Sequence, residues 1–66
     1  MVVVGTLPPN WLDHLPEIDQ HAVSAVIGKP ILLLGYDNDG RAELEFIDSE
    51  GIIHTIFVNP EFVSKS

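Results

Sequence analysis

The sequence predicts an α+β fold, mainly β, in which short N-terminal helices pack on a small antiparallel meander. Three observations carry that expectation. Two turn cassettes, Asp37-Asn38-Asp39-Gly40 and Asp48-Ser49-Glu50-Gly51, separate three apolar runs between Ile31 and Val58, the pattern of consecutive hairpins. Upstream of them Ile18, Ala22, Ala25 and Val26 recur at helical spacing. With 66 residues the chain holds one domain and one modest apolar core. The expected division is an extended segment over 1–9, a helical part over 10–28, the β-meander over 31–58 and a helical turn over 59–63.

Met1 to Leu7 is β-branched and apolar before Pro8-Pro9. Such a segment adds an edge strand, packs in a dimer contact or frays. Asn10 caps a helical turn at Trp11-Leu12-Asp13, with Asp13 at the positive end of the dipole, and Pro16 interrupts it. A helix starts at Pro16, with Glu17 and Asp19 in its first turn. Ile18, Ala22, Ala25 and Val26 form its apolar stripe, widened by Val23 and Ile27. Gly28 stops it, Lys29 complements its carboxyl end and Pro30 forbids continuation. At the far end Asn59 and Pro60 open a second turn that tucks Phe62 onto the core.

Both cassettes read as four-residue hairpin loops. The first then sets Tyr36 opposite Arg41, Leu34 opposite Glu43 and Leu32 opposite Glu45, with Ile31, Leu33 and Gly35 facing Phe46, Leu44 and Ala42. The second sets Phe46 opposite Ile53, Leu44 opposite Thr55 and Ala42 opposite Phe57, and brings His54 across from Glu45. One face is continuously apolar. The other mixes Leu32, Leu34, Ile52, Ile56 and Val58 with Arg41, Glu43, Glu45 and His54, and needs a cover: the N-terminal segment, sheet curvature closing a small barrel, or a second subunit. A slip of one residue in either loop exchanges the two faces.

The order Gly28-Lys29, Asp37-x-x-Gly40-x-Ala42-Glu43-Leu44-Glu45, Gly51 and His54-Thr55-Ile56-x-Val58-x-Pro60-Glu61-Phe62-Val63 resembles small bacterial proteins with an SH3-like β-barrel. The resemblance spans roughly Leu15 to Val63. It implies an SH3-like fold and brings no established activity, cofactor or site residue with it.

Composition excludes several function classes. Three Lys and Arg against ten Asp and Glu give a formal charge of -7, which repels phosphate backbones and anionic membranes. No nucleic acid and no membrane partner are expected. The chain has no cysteine, so neither a disulfide framework nor a thiolate metal site stabilises it. Its apolar runs are too short to span a bilayer, and the first residues lack the basic flank of a signal peptide. The expected location is the cytoplasm. Hydrophobic residues make up 45% of the chain, with a mean hydropathy of +0.23, high for a small domain. Self-association, as a homodimer, is the natural outlet for that surface.

The chemistry-bearing residues form no catalytic set. His54 stands out, because a carboxylate opposite it fixes the ring; the expected Glu45 to His54 hydrogen bond is structural. His14 and His21 lie seven apart around Pro16, without metal-ligand spacing, so no metal or other cofactor is expected. Asp37-Asn38-Asp39-Gly40 resembles part of a calcium loop, but the twelfth position falls on Phe46 where a bidentate Glu belongs. Glu43 and Glu45 sit about 7 Å apart on one face, a spacing that strand periodicity produces everywhere. Trp11, with Leu12 and Leu15, either plugs the core or anchors a partner.

The expected function is a non-enzymatic protein-protein interaction module that self-associates or binds a protein through Trp11, Leu32, Leu34, Ile52, Ile56 and Val58. The alternative is an acidic decoy or immunity-type inhibitor of a basic protein, whose carboxylates Asp37, Asp39, Glu43, Glu45, Asp48 and Glu50 imitate phosphates.

Overall fold

The computed structural model describes residues 1–65. Its strands β1 (Val2–Val4), β2 (Pro30–Tyr36), β3 (Ala42–Ile47), β4 (Ile53–Val58) and β5 (Val63–Lys65) form one antiparallel sheet in the order β4-β3-β2-β1-β5. Helix α1 (Glu17–Val26) packs on one face, and 3-10 turns run over Trp11–His14 and Pro60–Phe62. The fold is α+β and mainly strand. The sheet is open, with β4 and β5 as its edges.

β1 is not an edge strand. It pairs with β2 on one side, Val2 opposite Ile31, and with β5 on the other, Val4 opposite Val63. Three consecutive valines suit that position, because β-branched side chains pack well on a pleated surface. Val2 and Val4 are buried. The Gly28 N–H donates to the Val4 carbonyl at 2.9 Å, and the Gly5 N–H to the Phe62 carbonyl at 2.9 Å. These two bonds tie the N-terminal strand to the end of α1 and to the last turn.

α1 begins one residue later than Pro16, whose carbonyl accepts from the Gln20 N–H at 3.0 Å. Its buried side is also rotated from the expected stripe: Ala22 and Val23 are in the core, whereas Ile18 is 71% exposed and Ala25 is exposed. Spacing alone does not say which side of a short apolar helix meets the sheet. The helix ends where Gly28, Lys29 and Pro30 predict, in a turn closed by the Lys29 N–H on the Val26 carbonyl at 3.0 Å.

The two cassettes are hairpin turns, but each closes one residue tighter than expected. The Asp48 N–H donates to the Ile52 carbonyl at 2.9 Å and the Gly51 N–H to the Asp48 carbonyl at 3.0 Å; Asp37, Gly40 and Arg41 repeat the pattern. Gly40 and Gly51 stand at φ of +81° and +83°, the left-handed residue that ends a three-residue hairpin loop. The aspartate carboxylate completes the closure. Asp48 Oδ1 accepts the N–H groups of Glu50 and Ile52, as Asp37 Oδ1 accepts those of Asp39 and Arg41.

This closure changes the register between β3 and β4. Phe46 pairs with His54, Leu44 with Ile56 and Ala42 with Val58, while Ile47 faces Ile53, Glu45 faces Thr55 and Glu43 faces Phe57. The expected pairs Phe46–Ile53, Leu44–Thr55, Ala42–Phe57 and Glu45–His54 do not form, and the faces of β4 are exchanged. In the first hairpin the same tighter loop pairs Tyr36 with Ala42 and Gly35 with Glu43, not Tyr36 with Arg41 or Leu34 with Glu43. A bulge between Leu33 and Gly35 then restores the expected pairs Leu33–Leu44 and Leu32–Glu45.

The core lies between α1 and the inner sheet face. It comprises Val2, Val4, Ala22, Val23, Ile31, Ala42, Leu44, Phe46, Ile56 and Val58, with Leu44 and Val58 wholly inaccessible. Each such aliphatic side chain contributes about 1.5–3 kcal/mol through burial. Ile56 and Val58 therefore belong to the core and not to a docking surface. Asn59 makes no side-chain cap bond; Pro60 opens the turn as expected, Phe62 packs against the core, and Val63 then goes extended into β5. The sequence pattern had shown only a helical turn there.

Candidate functional site

His54 lies on the inner face of β4, its ring stacked on Phe46 with centroids 5.1 Å apart. Its Nε2 is 2.8 Å from Asp48 Oδ2 and its Nδ1 is 3.4 Å from Asp19 Oδ1. One ring thus joins the second hairpin turn to the first turn of α1. A doubly protonated ring donates to both carboxylates; a neutral one donates to a single partner. The hydrogen bond from His54 is the largest influence holding the Asp48 carboxyl below the usual carboxylate range, and the Ile52 and Glu50 amides add to it against the cost of burial.

This cluster is a structural latch. Both partners of the His54 ring are carboxylates, and no hydroxyl hydrogen-bonds to it among the described residues. Its side chain is only 9% accessible, which leaves no room for a substrate at either nitrogen. The partners Asp19 and Asp48 were not anticipated. The available signal was the position of Asp48 at the head of a turn, since a hairpin that closes on Asp48 returns the chain past it at His54.

Arg41 forms a second cluster at the other turn. Its Nε donates to Asp37 Oδ2 at 2.7 Å, and its guanidinium carbon lies 5.7 Å from the centroid of the Phe57 ring. Burial works against ionisation of Asp37, but the Arg41 amide and guanidinium and the Asp39 amide outweigh it and hold the carboxyl below its ordinary value. His21 sits 3.7 Å from Glu17, both exposed on α1. No group of His, Asp and Glu capable of holding a metal occurs among the described residues.

The outer sheet face carries the exposed apolar surface. Leu32 (43%), Leu34 (48%), Ile47 (62%), Ile53 (61%) and Phe57 (40%) are accessible there, around the half-buried Glu43 and Glu45. Neither glutamate has an ion-pair partner among the described residues. Ile52 is exposed at the turn rather than on the sheet (49%). Of the interaction residues expected from sequence, Leu32 and Leu34 thus share this face, and Ile47, Ile53 and Phe57 replace Ile56 and Val58 on it.

Trp11 is half-buried. With Leu12 and Leu15 it packs against the core, and its other side lines an open groove of about 560 Å³ beside β4, together with His14, Leu15, Arg41, Thr55 and Phe57. A second open groove, about 530 Å³, separates α1 from the Asp48–Gly51 turn. No helix among the described residues is long and apolar enough to cross a membrane.

Comparison with models of known protein families, with curated proteins and with solved structures gave no match.

Proposed function

We propose that the protein is a non-enzymatic protein-binding module whose contact surface is the outer face of β2, β3 and β4. The supporting observation is the cluster of Leu32, Leu34, Ile47, Ile53 and Phe57, all at least 40% exposed on one face. A cluster of exposed apolar side chains on one face is a common mark of an interaction site. Catalysis has no comparable support, since His54, the one histidine among the described residues that is not exposed, is engaged in a latch. The meander is read as SH3-like but open, a reading supported by the return of β5 to pair with β1 after a 3-10 turn.

Glu43 and Glu45 in the middle of the patch favour a different protein over a second copy, because two such faces laid together oppose like charges. The inhibitor reading has less support: Asp37, Asp39 and Asp48, three of its six carboxylates, are engaged by Arg41, His54 or turn amides. The test compares proteins captured by the wild-type chain and by an Ile47→Ser, Ile53→Ser double variant of checked fold. The expected result is a partner retained at high salt by the wild type and lost by the variant. Equal capture by both refutes the outer face as the contact surface.

A further inference from the structure

We propose that the free edge of β4 accepts a strand from a protein partner, an extended apolar segment with a basic side chain opposite Thr55. This deepens the protein-binding reading and rests on it.

The backbone carries the first part of the argument. Because the Asp48 N–H donates to the Ile52 carbonyl, the alternation of an antiparallel ladder makes Phe46–His54, Leu44–Ile56 and Ala42–Val58 the bonded pairs. The N–H and C=O groups of Ile53, Thr55 and Phe57 then point away from β3. β4 is the last strand of the sheet, and none of these groups has a hydrogen-bond partner among the described residues.

Exposed edges are ordinarily blunted by proline, lysine, a bulge or shortness. The opposite edge follows that rule: β5 has three residues and ends in Lys65. β4 has six, Ile-His-Thr-Ile-Phe-Val, without proline, lysine or bulge. Six outward backbone groups in a row form a ready template for another strand.

The surroundings state the chemistry of that strand. On the inner side the groove wall is Trp11 and Leu15 beside Pro8, Asn10 and His14, with Arg41 at its Phe57 end, so side chains of the added strand that point inward meet a mainly apolar surface with a polar margin. On the outer side Ile53 and Phe57 flank Thr55, and behind Thr55 stands Glu45, its partner in β3. Thr55 is short enough for a lysine or arginine placed opposite it to pass over and reach that unpaired carboxylate. A second copy of β4, aligned about Thr55, brings no lysine or arginine to this position. The preferred occupant is a basic segment of another protein.

The probe is the acetylated, amidated heptapeptide Thr-Val-Val-Lys-Val-Val-Thr, whose lysine stands opposite Thr55 when it adds antiparallel to β4. At saturation the amides of Ile53, Thr55 and Phe57 are expected to exchange at least about tenfold more slowly. The same peptide N-methylated at its lysine and at its second and sixth residues is expected to bind at least about tenfold more weakly. Replacing the peptide's lysine by glutamate, or Glu45→Gln in the protein, weakens binding as well. Equal binding of the N-methylated peptide, with perturbations at Leu32 and Ile47, overturns the edge proposal but leaves the outer-face module standing. Failure to slow those three amides at millimolar peptide overturns it too, as does protection in the free protein that grows with concentration, which shows β4 occupied by a second copy.

Discussion

Asp48 performs three tasks with one carboxylate: it accepts the Glu50 and Ile52 amides and it accepts from His54. Asp37 does the equivalent work for Asp39 and Arg41. Both are held below the ordinary aspartate range in the folded chain, so the folded state binds their protons less readily than the unfolded one. Their stabilisation is full above about pH 5 and is lost as pH falls through the folded-state values. The urea midpoint is expected to drop between about pH 5 and pH 2, and to drop less in Asp48→Asn, which starts lower. A midpoint independent of pH over that range contradicts the role given to these carboxylates. Gly51→Ala meets no atom within 4 Å, so its cost is conformational alone, about 1–2 kcal/mol at a left-handed φ. Denaturant unfolding measures it directly. Sequence singled out His54 as a hydrogen-bonded residue but assigned it Glu45; its partners are Asp48 and Asp19, because the partner depends on which carboxylate closes the turn.

At the scale of elements, the hairpin of β3 and β4 offers a direct check of register. Sequence reasoning placed Phe57 in the core and Val58 outside; the structure reverses them, with Val58 wholly buried and Phe57 40% exposed. Val58→Ala is expected to cost about 2 kcal/mol. Phe57→Ala, although it deletes more atoms, is expected to cost about 1 kcal/mol or less. The opposite ranking in thermal or urea unfolding restores the four-residue loop. The limits of the elements were legible wherever Pro or Gly punctuates the chain, as at Gly28, Gly40, Gly51 and Pro60. The parity of β4 was not, since an Asp-x-x-Gly cassette suits loops of three or four residues and the aspartate's own hydrogen bonds decide between them. The first hairpin was read correctly at Leu32 and Leu33 only because its bulge offsets the same error. β1 and β5 pair across the whole length of the chain, and no local pattern announces such a partner.

For the molecule as a whole, that long-range pairing is a condition of stability. β1 supplies Val2 and Val4 to the core and the ladder partners of both β2 and β5. A chain lacking residues 1–4 is expected to lose its cooperative unfolding transition, as followed by circular dichroism. Retention of the wild-type midpoint refutes the central place given to β1. The charge of -7 lies on a surface that also bears exposed isoleucine, leucine and phenylalanine, and under the proposed function the two features divide the work: like charges oppose contact between copies, while the apolar face suits a partner that offers cations. Ion pairing is spent mainly inside the turns and the latch, which leaves Glu43 and Glu45 to act outward.

Val2 lies opposite Lys65 in the sheet, so the two ends of the described chain leave the protein side by side. They do so three strand spacings or more from β4, roughly 14 Å across the sheet. A tether at either terminus, whether a bead, a neighbouring domain or a label, therefore grips the protein from behind and presents the open edge to whatever approaches from the front.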